Sequence, residues 1–196
     1  MKLYKLTDNN DRTYNKTQWG KGVTHTTTGD GIDLCSNGYI HAYTDPYLAL
    51  FLNPIHAHFR NCHLWEAEGD VIKDDNGLKV GCKSLTTTRR MTKPHITKQM
   101  LVKFAILCAL EVCDNAEFVV WANNWLSGKD RSKAAAEAAA WATRAAWAAE
   151  ATAWATRAAA EAAAEAAWAA ARAAARARRA KPIDLIAIAH KAAGVE

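Results

Sequence analysis

Ten side chains capable of chemistry crowd into residues 34–69: Cys35, His41, Tyr43, Asp45, His56, His58, Cys62, His63, Glu66 and Glu68. Imidazole and thiolate are the usual zinc ligands, so His56, His58, Cys62 and His63 are the set to weigh first. Neither the HxH nor the CH spacing matches a finger, and there is no second CxxC, so no metal is assigned. A second possibility needs only strand geometry. Side chains alternate along a strand, so His41 and Tyr43 share one face, and Glu66 and Glu68 share a face on another. A His/Tyr pair with a carboxylate from a neighbouring strand could line a small-molecule pocket, which makes His41, Tyr43 and Glu66 the candidate catalytic residues. The ordinary alternative is a satisfied core histidine at 41, a solvated edge glutamate at 66 and a buried thiol at Cys35. No GxSxG, P-loop or HExxH pattern is present.

The elements that would position these residues can be read from punctuation and period. The runs KLYKL, GYIHAY, HLWEAEGDVI and LKVGCKSL are β-prone and are separated by the turn signals TDNND, TTTGDGID and DDNG. Asn76-Gly77 predicts a tight hairpin, because both residues accept positive φ. TDPYLALFLN predicts a helix, with Thr44 or Asp45 as cap, Pro46 in the first turn, and Leu48, Phe51 and Leu52 on one face. From Thr97 the period becomes helical. TKQMLVKFAILCALEVC and NAEFVVWANNWLSG suggest a helical hairpin, with Phe118, Trp121 and Trp125 on one face and Gly128 as a stop. The expected class is α+β: a small mixed or antiparallel sheet domain over residues 1–95, a core helical hairpin over 96–128, and alanine-rich helix over 129–196 with a short C-terminal helix starting near Pro182.

Between Ser132 and Lys181 there is no Gly, Pro, Asn or Asp, and about 30 of about 50 residues are alanine, the best helix former. One straight helix of that length would reach about 75 Å, so the segment projects, folds back or lies along a second copy. Trp147, Trp154 and Trp168 recur at multiples of seven, the period of helices wrapped on one another; Trp141 does not share their face. Arg144 and Arg157 follow an indole by three residues and Arg172 by four, close enough to lie over it. Packing within the chain or between copies is the preferred reading. A nucleic-acid surface through Arg172, Arg176, Arg178 and Arg179 is less favoured, because Glu137, Glu150, Glu161 and Glu165 interrupt the positive charge.

The net charge of +5 is mild. Five cysteines, an odd number at irregular spacing, and an N-terminus without an apolar run suggest reduced thiols in a cytoplasm. Charges recur through the longest apolar stretch, so no membrane span is expected.

The order YKLT, glycine-rich connection, GYIHAYTDPYLALFLN, LWEAEGDV resembles the ADP-ribosyltransferase-like fold, and also small phage and prophage proteins with a C, G, H, helix, V/W-E-A-x-G pattern. The resemblance implies NAD or a related nucleotide as ligand, Tyr4 or Lys5 at the first-strand contact and His41 or Tyr43 at the second motif; strand alternation adds Glu68 to these ligand-binding candidates. The late catalytic glutamate of that fold has no match: Glu66 and Glu68 fall too early and Glu111 sits in a helix. FAILCALEVC followed by FVVWANNWLSGKDRSKAAAEAAAWA resembles alanine-rich immunity-type helical proteins of bacteria and phages. These likenesses imply a phage-type accessory or counter-defence protein, cytoplasmic in an infected or lysogenic bacterial host. It would bind a host protein, itself or a nucleotide-like ligand without catalysis and without an obligatory cofactor. An NAD-dependent ADP-ribosyltransferase-like enzyme is the alternative.

Overall fold

The computed structural model describes residues 1–113, 115–137 and 183–195. The alanine-rich stretch that carries Trp141, Trp147, Trp154, Trp168, Arg172, Arg176, Arg178 and Arg179, together with Pro182, lies outside the described residues. The chain divides into two compact units, Met1–Ile96 with Asp184–His190, and Thr97–Ile183 with Lys191–Glu196.

The first unit is an antiparallel sheet of five strands: β1 (Lys2–Thr7), β2 (Val23–Thr26), β3 (Ile40–Ala42), β4 (His63–Asp74) and β5 (Val80–Met91). Its order is β1-β4-β5-β2, with β3 also on β5. The long β4–β5 hairpin turns at Asn76 (φ 50°) and Gly77 (φ 81°), and the Leu78 N–H donates to the Asp75 carbonyl at 3.0 Å. This is the left-handed pair that Asn-Gly was expected to supply. Register shifts at Glu66/Ala67, Gly69/Val71 and Val71/Lys73 bend the hairpin, since each extra residue adds local twist. Tyr43, just past β3, then exchanges two backbone hydrogen bonds with Tyr4, at 2.8 and 2.9 Å. That exchange joins β3 to β1 and closes a circuit β1-β4-β5-β3. Leu3, Trp19, Ala42, Ala67, Val80, Cys82 and Leu85 fill it as one buried cluster.

β2 has no counterpart in the sequence reading. Its face toward β5 is held by hydroxyl pairs, Thr24 with Thr86 at 2.7 Å and Thr26 with Ser84 at 3.1 Å, so no apolar run marks it. Helix α1 (Pro46–His56) follows β3, capped by Asp45, whose carboxylate accepts from the Leu48 N–H at 2.9 Å. Leu48, Phe51 and Leu52 are buried, as the spacing predicts.

In the second unit α2 (Lys98–Leu110) is capped by Thr97, and α3 (Ala116–Ser127) by Asn115. Gly128 ends α3 in the left-handed region at φ 77°. Val102, Ala105, Ile106 and Ala109 of α2 share one buried cluster with Phe118, Trp121 and Trp125 of α3. The last helix, α4 (Leu185–Ala193), whose residues through His190 belong to the first unit, begins after Asp184, whose carboxylate accepts from the Ala187 N–H at 3.0 Å. Among the described residues no helix is long and apolar enough to cross a membrane.

Candidate functional site: a tyrosine, two imidazoles and two lysines

β3 is only three residues long, yet it fixes most of the site. Ala42 points into the closed core at 0% exposure, so alternation turns His41 and Tyr43 to the other face. There the last turn of α1 delivers His56. The Tyr43 hydroxyl lies 3.1 Å from His56 Nδ1, and the rings stack at 6.0 Å with planes 18° apart. Burial pushes the His56 imidazole down to about 4, helped by the positive charge of Lys79 and by His41. The ring is therefore neutral at physiological pH, and a phenol donating to Nδ1 leaves its proton on Nε2. Burial raises the Tyr43 phenol above its usual range, so Tyr43 stays protonated and able to donate.

His41 donates from Nε2 to the Leu34 carbonyl. Burial lowers its pKa, the Leu34 hydrogen bond opposes that, and Lys79 and Lys5 add to the lowering. Two buried lysines flank the group, Lys79 beside the imidazoles and Lys5 from the core face of the sheet. Lys5 donates to the His41 carbonyl at 2.7 Å with its ammonium 5.1 Å from the centre of the Trp19 ring, and burial brings it down to about 8. Lys79, 8% exposed, donates to Cys35 Sγ at 2.9 Å.

The His41/Tyr43 pair expected from alternation is thus present, but its carboxylate is not where the sequence suggested. The neighbours of β3 are β5 and β1, and β4 lies beyond β1. Arg89, Glu66, Tyr4 and Tyr43 form one row across four strands in that order. Within it Glu66 takes a fork from Arg89, Nε to Oε2 at 3.0 Å and Nη2 to Oε1 at 2.8 Å, and an ion pair from Lys2 at 2.7 Å. The hydrogen bonds from Arg89 and Lys2 hold its carboxyl down at about 2. A carboxylate so held is a poor proton carrier at neutral pH. Glu68 is exposed one pleat along, beside Lys2 and Thr88 in a polar groove of about 230 Å³. Tyr4 shares the Glu66 face, with the Lys2 ammonium 5.8 Å from its ring centre. Lys5 alternates to the opposite face, so the two candidate first-strand contacts cannot line one wall together.

The four residues weighed for zinc go to separate partners. His56 meets Tyr43; His63 Nδ1 bonds Asp11 at 2.8 Å; Cys62 Sγ lies 3.9 Å from the Lys93 ammonium; His58 is exposed with φ 54°. Among the described residues no group of three or more His, Cys, Asp or Glu side chains is placed to hold a metal ion.

Lys79 and Asp11 were not legible as important. Lys79 follows a turn, where a lysine reads as solvated; only the apolar Leu78 and Val80 on either side hint otherwise. Asp11 sits in the TDNND turn at φ 59° and gathers His63, Trp65 at 3.1 Å, and Arg90 around one carboxylate.

Residues 1–99 match the family model described as Domain of unknown function (DUF7666). No curated protein and no solved structure matches the chain.

Proposed function

For a chain that belongs to the DUF7666 family through residues 1–99, we propose a non-catalytic binding protein whose sheet unit takes a nucleotide-like ligand at Tyr43, His56, His41 and Lys79. The observation that carries this reading is the Tyr43–His56 pair beside a buried ammonium. A phenol and neutral imidazoles supply donors and acceptors for a heterocycle edge or a sugar hydroxyl. Lys79 supplies the positive charge for a phosphate, a role lysine fills as a compact point charge. The capture of Glu66 by Lys2 and Arg89 is what favours binding over catalysis. NAD, ADP-ribose and nucleoside triphosphates are the ligands to try by thermal shift, on the wild type and on His41→Ala and Tyr43→Phe. A ligand at 100 times its Kd adds about 2.7 kcal/mol of stability. A rise in Tm that either substitution removes supports the reading, and no rise with any of the three ligand classes sinks it.

One observation favours the ADP-ribosyltransferase-like alternative: the row that sets Tyr4, Tyr43 and Glu66 on one face. That reading requires label transfer from NAD that Glu66→Gln abolishes. The phage setting and a host-protein partner rest on the sequence likenesses, and self-association rests on the seven-residue tryptophan spacing. Nucleic-acid binding through Arg172, Arg176, Arg178 and Arg179 requires an affinity that falls steeply with salt and disappears on truncation after Ala171.

A further inference from the structure

The loop between β2 and β3 is fastened to the hairpin by two lysines and braced within itself. Lys83 donates to the Gly29 carbonyl at 2.9 Å and Lys73 donates to the Ile32 carbonyl, while inside the loop Thr27 Oγ1 donates to the Asn37 carbonyl at 2.5 Å. A Cβ on Gly81 would stand 2.5 Å from Leu34 Cδ1, so only a glycine there lets the loop lie flat on β5. These fastenings place Cys35, whose side of the loop is exposed, with its sulfur 2.9 Å from the Lys79 nitrogen. One partner is open to solvent reagents, and the other is buried and held facing it.

We propose that Cys35 and Lys79 form a peroxide-responsive modification site, in which oxidation of the thiol is followed by a covalent sulfur–nitrogen link to the lysine. Hydrogen peroxide is the oxidant. Its terminal oxygen is transferred to sulfur, giving Cys35–SOH and one water as the O–O bond breaks. The Lys79 amine then attacks that sulfur. The S–O bond breaks, the hydroxyl leaves as a second water, and the ammonium protons not retained on the new S–NH bond pass to the leaving hydroxyl and to solvent. Sulfur is oxidised by two electrons and peroxide is reduced by two. Sulfenic acids are known to condense with backbone nitrogen in this way, and here a side-chain nitrogen already stands at contact distance. Cys62, Cys82, Cys108 and Cys113 are buried, so selectivity follows from access. The link would pin the loop to the hairpin and remove the positive charge that Lys79 holds beside His41 and His56.

The test is mass spectrometry on the full-length protein after hydrogen peroxide, with peptide mapping and with dimedone present or absent. The expected product is a peptide joining Cys35 to Lys79 that has lost two hydrogens, about 2 Da, and is reopened by dithiothreitol. In Lys79→Arg the link should be lost and dimedone should instead capture a sulfenic acid at Cys35. The proposal is overturned if wild-type Cys35 accumulates as a dimedone-reactive sulfenic acid without the link. It is equally overturned if Cys35 reacts no faster than the four buried cysteines. Both readouts use wild-type protein and no nucleotide, so they stand apart from the ligand reading above.

Discussion

Replacing Lys5 with Met tests the closed circuit of strands through its least comfortable member. Burial brings the folded-state Lys5 from its ordinary 10.5 to about 8, whereas the unfolded chain keeps the ordinary value. The charged form is disfavoured in the fold, so below pH 8 the folded state carries the full penalty. As pH rises through 8 the folded chain releases a proton that the unfolded chain retains, and stability increases wherever the unfolded state binds more protons. Integrated from pH 7 to pH 9, this amounts to about 1.3 kcal/mol. Tyr43 and Cys82 act in the opposite sense. Their raised pKa values cost stability once their unfolded counterparts ionise, but both groups are present in each protein and their effects largely cancel in the difference. Urea unfolding of wild type and Lys5→Met at pH 7, 8 and 9, with m-values checked for constancy, should show the wild type gaining about 1.3 kcal/mol on the variant over that interval. Met keeps an unbranched apolar side chain and loses the charge, the ammonium over the Trp19 ring and the bond to the His41 carbonyl. Parallel stability curves for the two proteins would refute the placement of Lys5 inside the circuit.

Gly81→Ala forces the loop off β5, because the new methyl meets Leu34 Cδ1 at 2.5 Å and Tyr39 at 3.0 Å; overpacking of this kind costs about 1–3 kcal/mol, read as a fall in Tm. Glu66→Gln removes the group whose folded carboxyl sits at about 2 against an ordinary 4.5. The stability it contributes is present above 4.5 and lost as pH falls toward 2, so wild type and variant should converge in acid unfolding curves across that window. The His56 imidazole should titrate near 4 by NMR, with the fold losing stability as pH drops from 6.5 to 4 because the unfolded histidine protonates first. Lys79→Met should move that midpoint upward, and a His56 midpoint near 6.5 in the wild type would contradict its burial.

What the sequence made legible was local. Asn76-Gly77 needed only their own φ angles to declare a hairpin, Asp45-Pro46 only the first turn of a helix, and Gly128 only a left-handed stop. His41 and Tyr43 were placed on one face by alternation alone. What stayed hidden was set by pairings across many residues. Glu66 read as a free carboxylate until register put Arg89 and Lys2 beside it. β2 was invisible because its pairing is made by threonine and serine hydroxyls. Nothing in β1 or β3 announces that Tyr4 and Tyr43 will exchange backbone bonds, since that depends on how far three irregularities bend a hairpin elsewhere.

That closure has a consequence for binding. It brings two ammonium groups, Lys5 and Lys79, to a region whose imidazoles are both shifted down, His41 by burial, Lys79 and Lys5, and His56 by burial, Lys79 and His41. An anionic ligand seated against Lys79 would offset the charge that keeps His41 and His56 unprotonated. Their proton affinities must then rise on binding, and by linkage affinity must rise as pH falls toward the imidazole range. A nucleotide phosphate should therefore bind with net proton uptake, measurable by calorimetry at pH 6 in buffers of different ionisation enthalpy. Tyr43→Phe should leave that uptake largely intact, because the phenol contributes a hydrogen bond and no charge. His56→Gln should reduce it. A nucleotide that binds with no proton exchange at pH 6 is bound away from His41, His56 and Lys79.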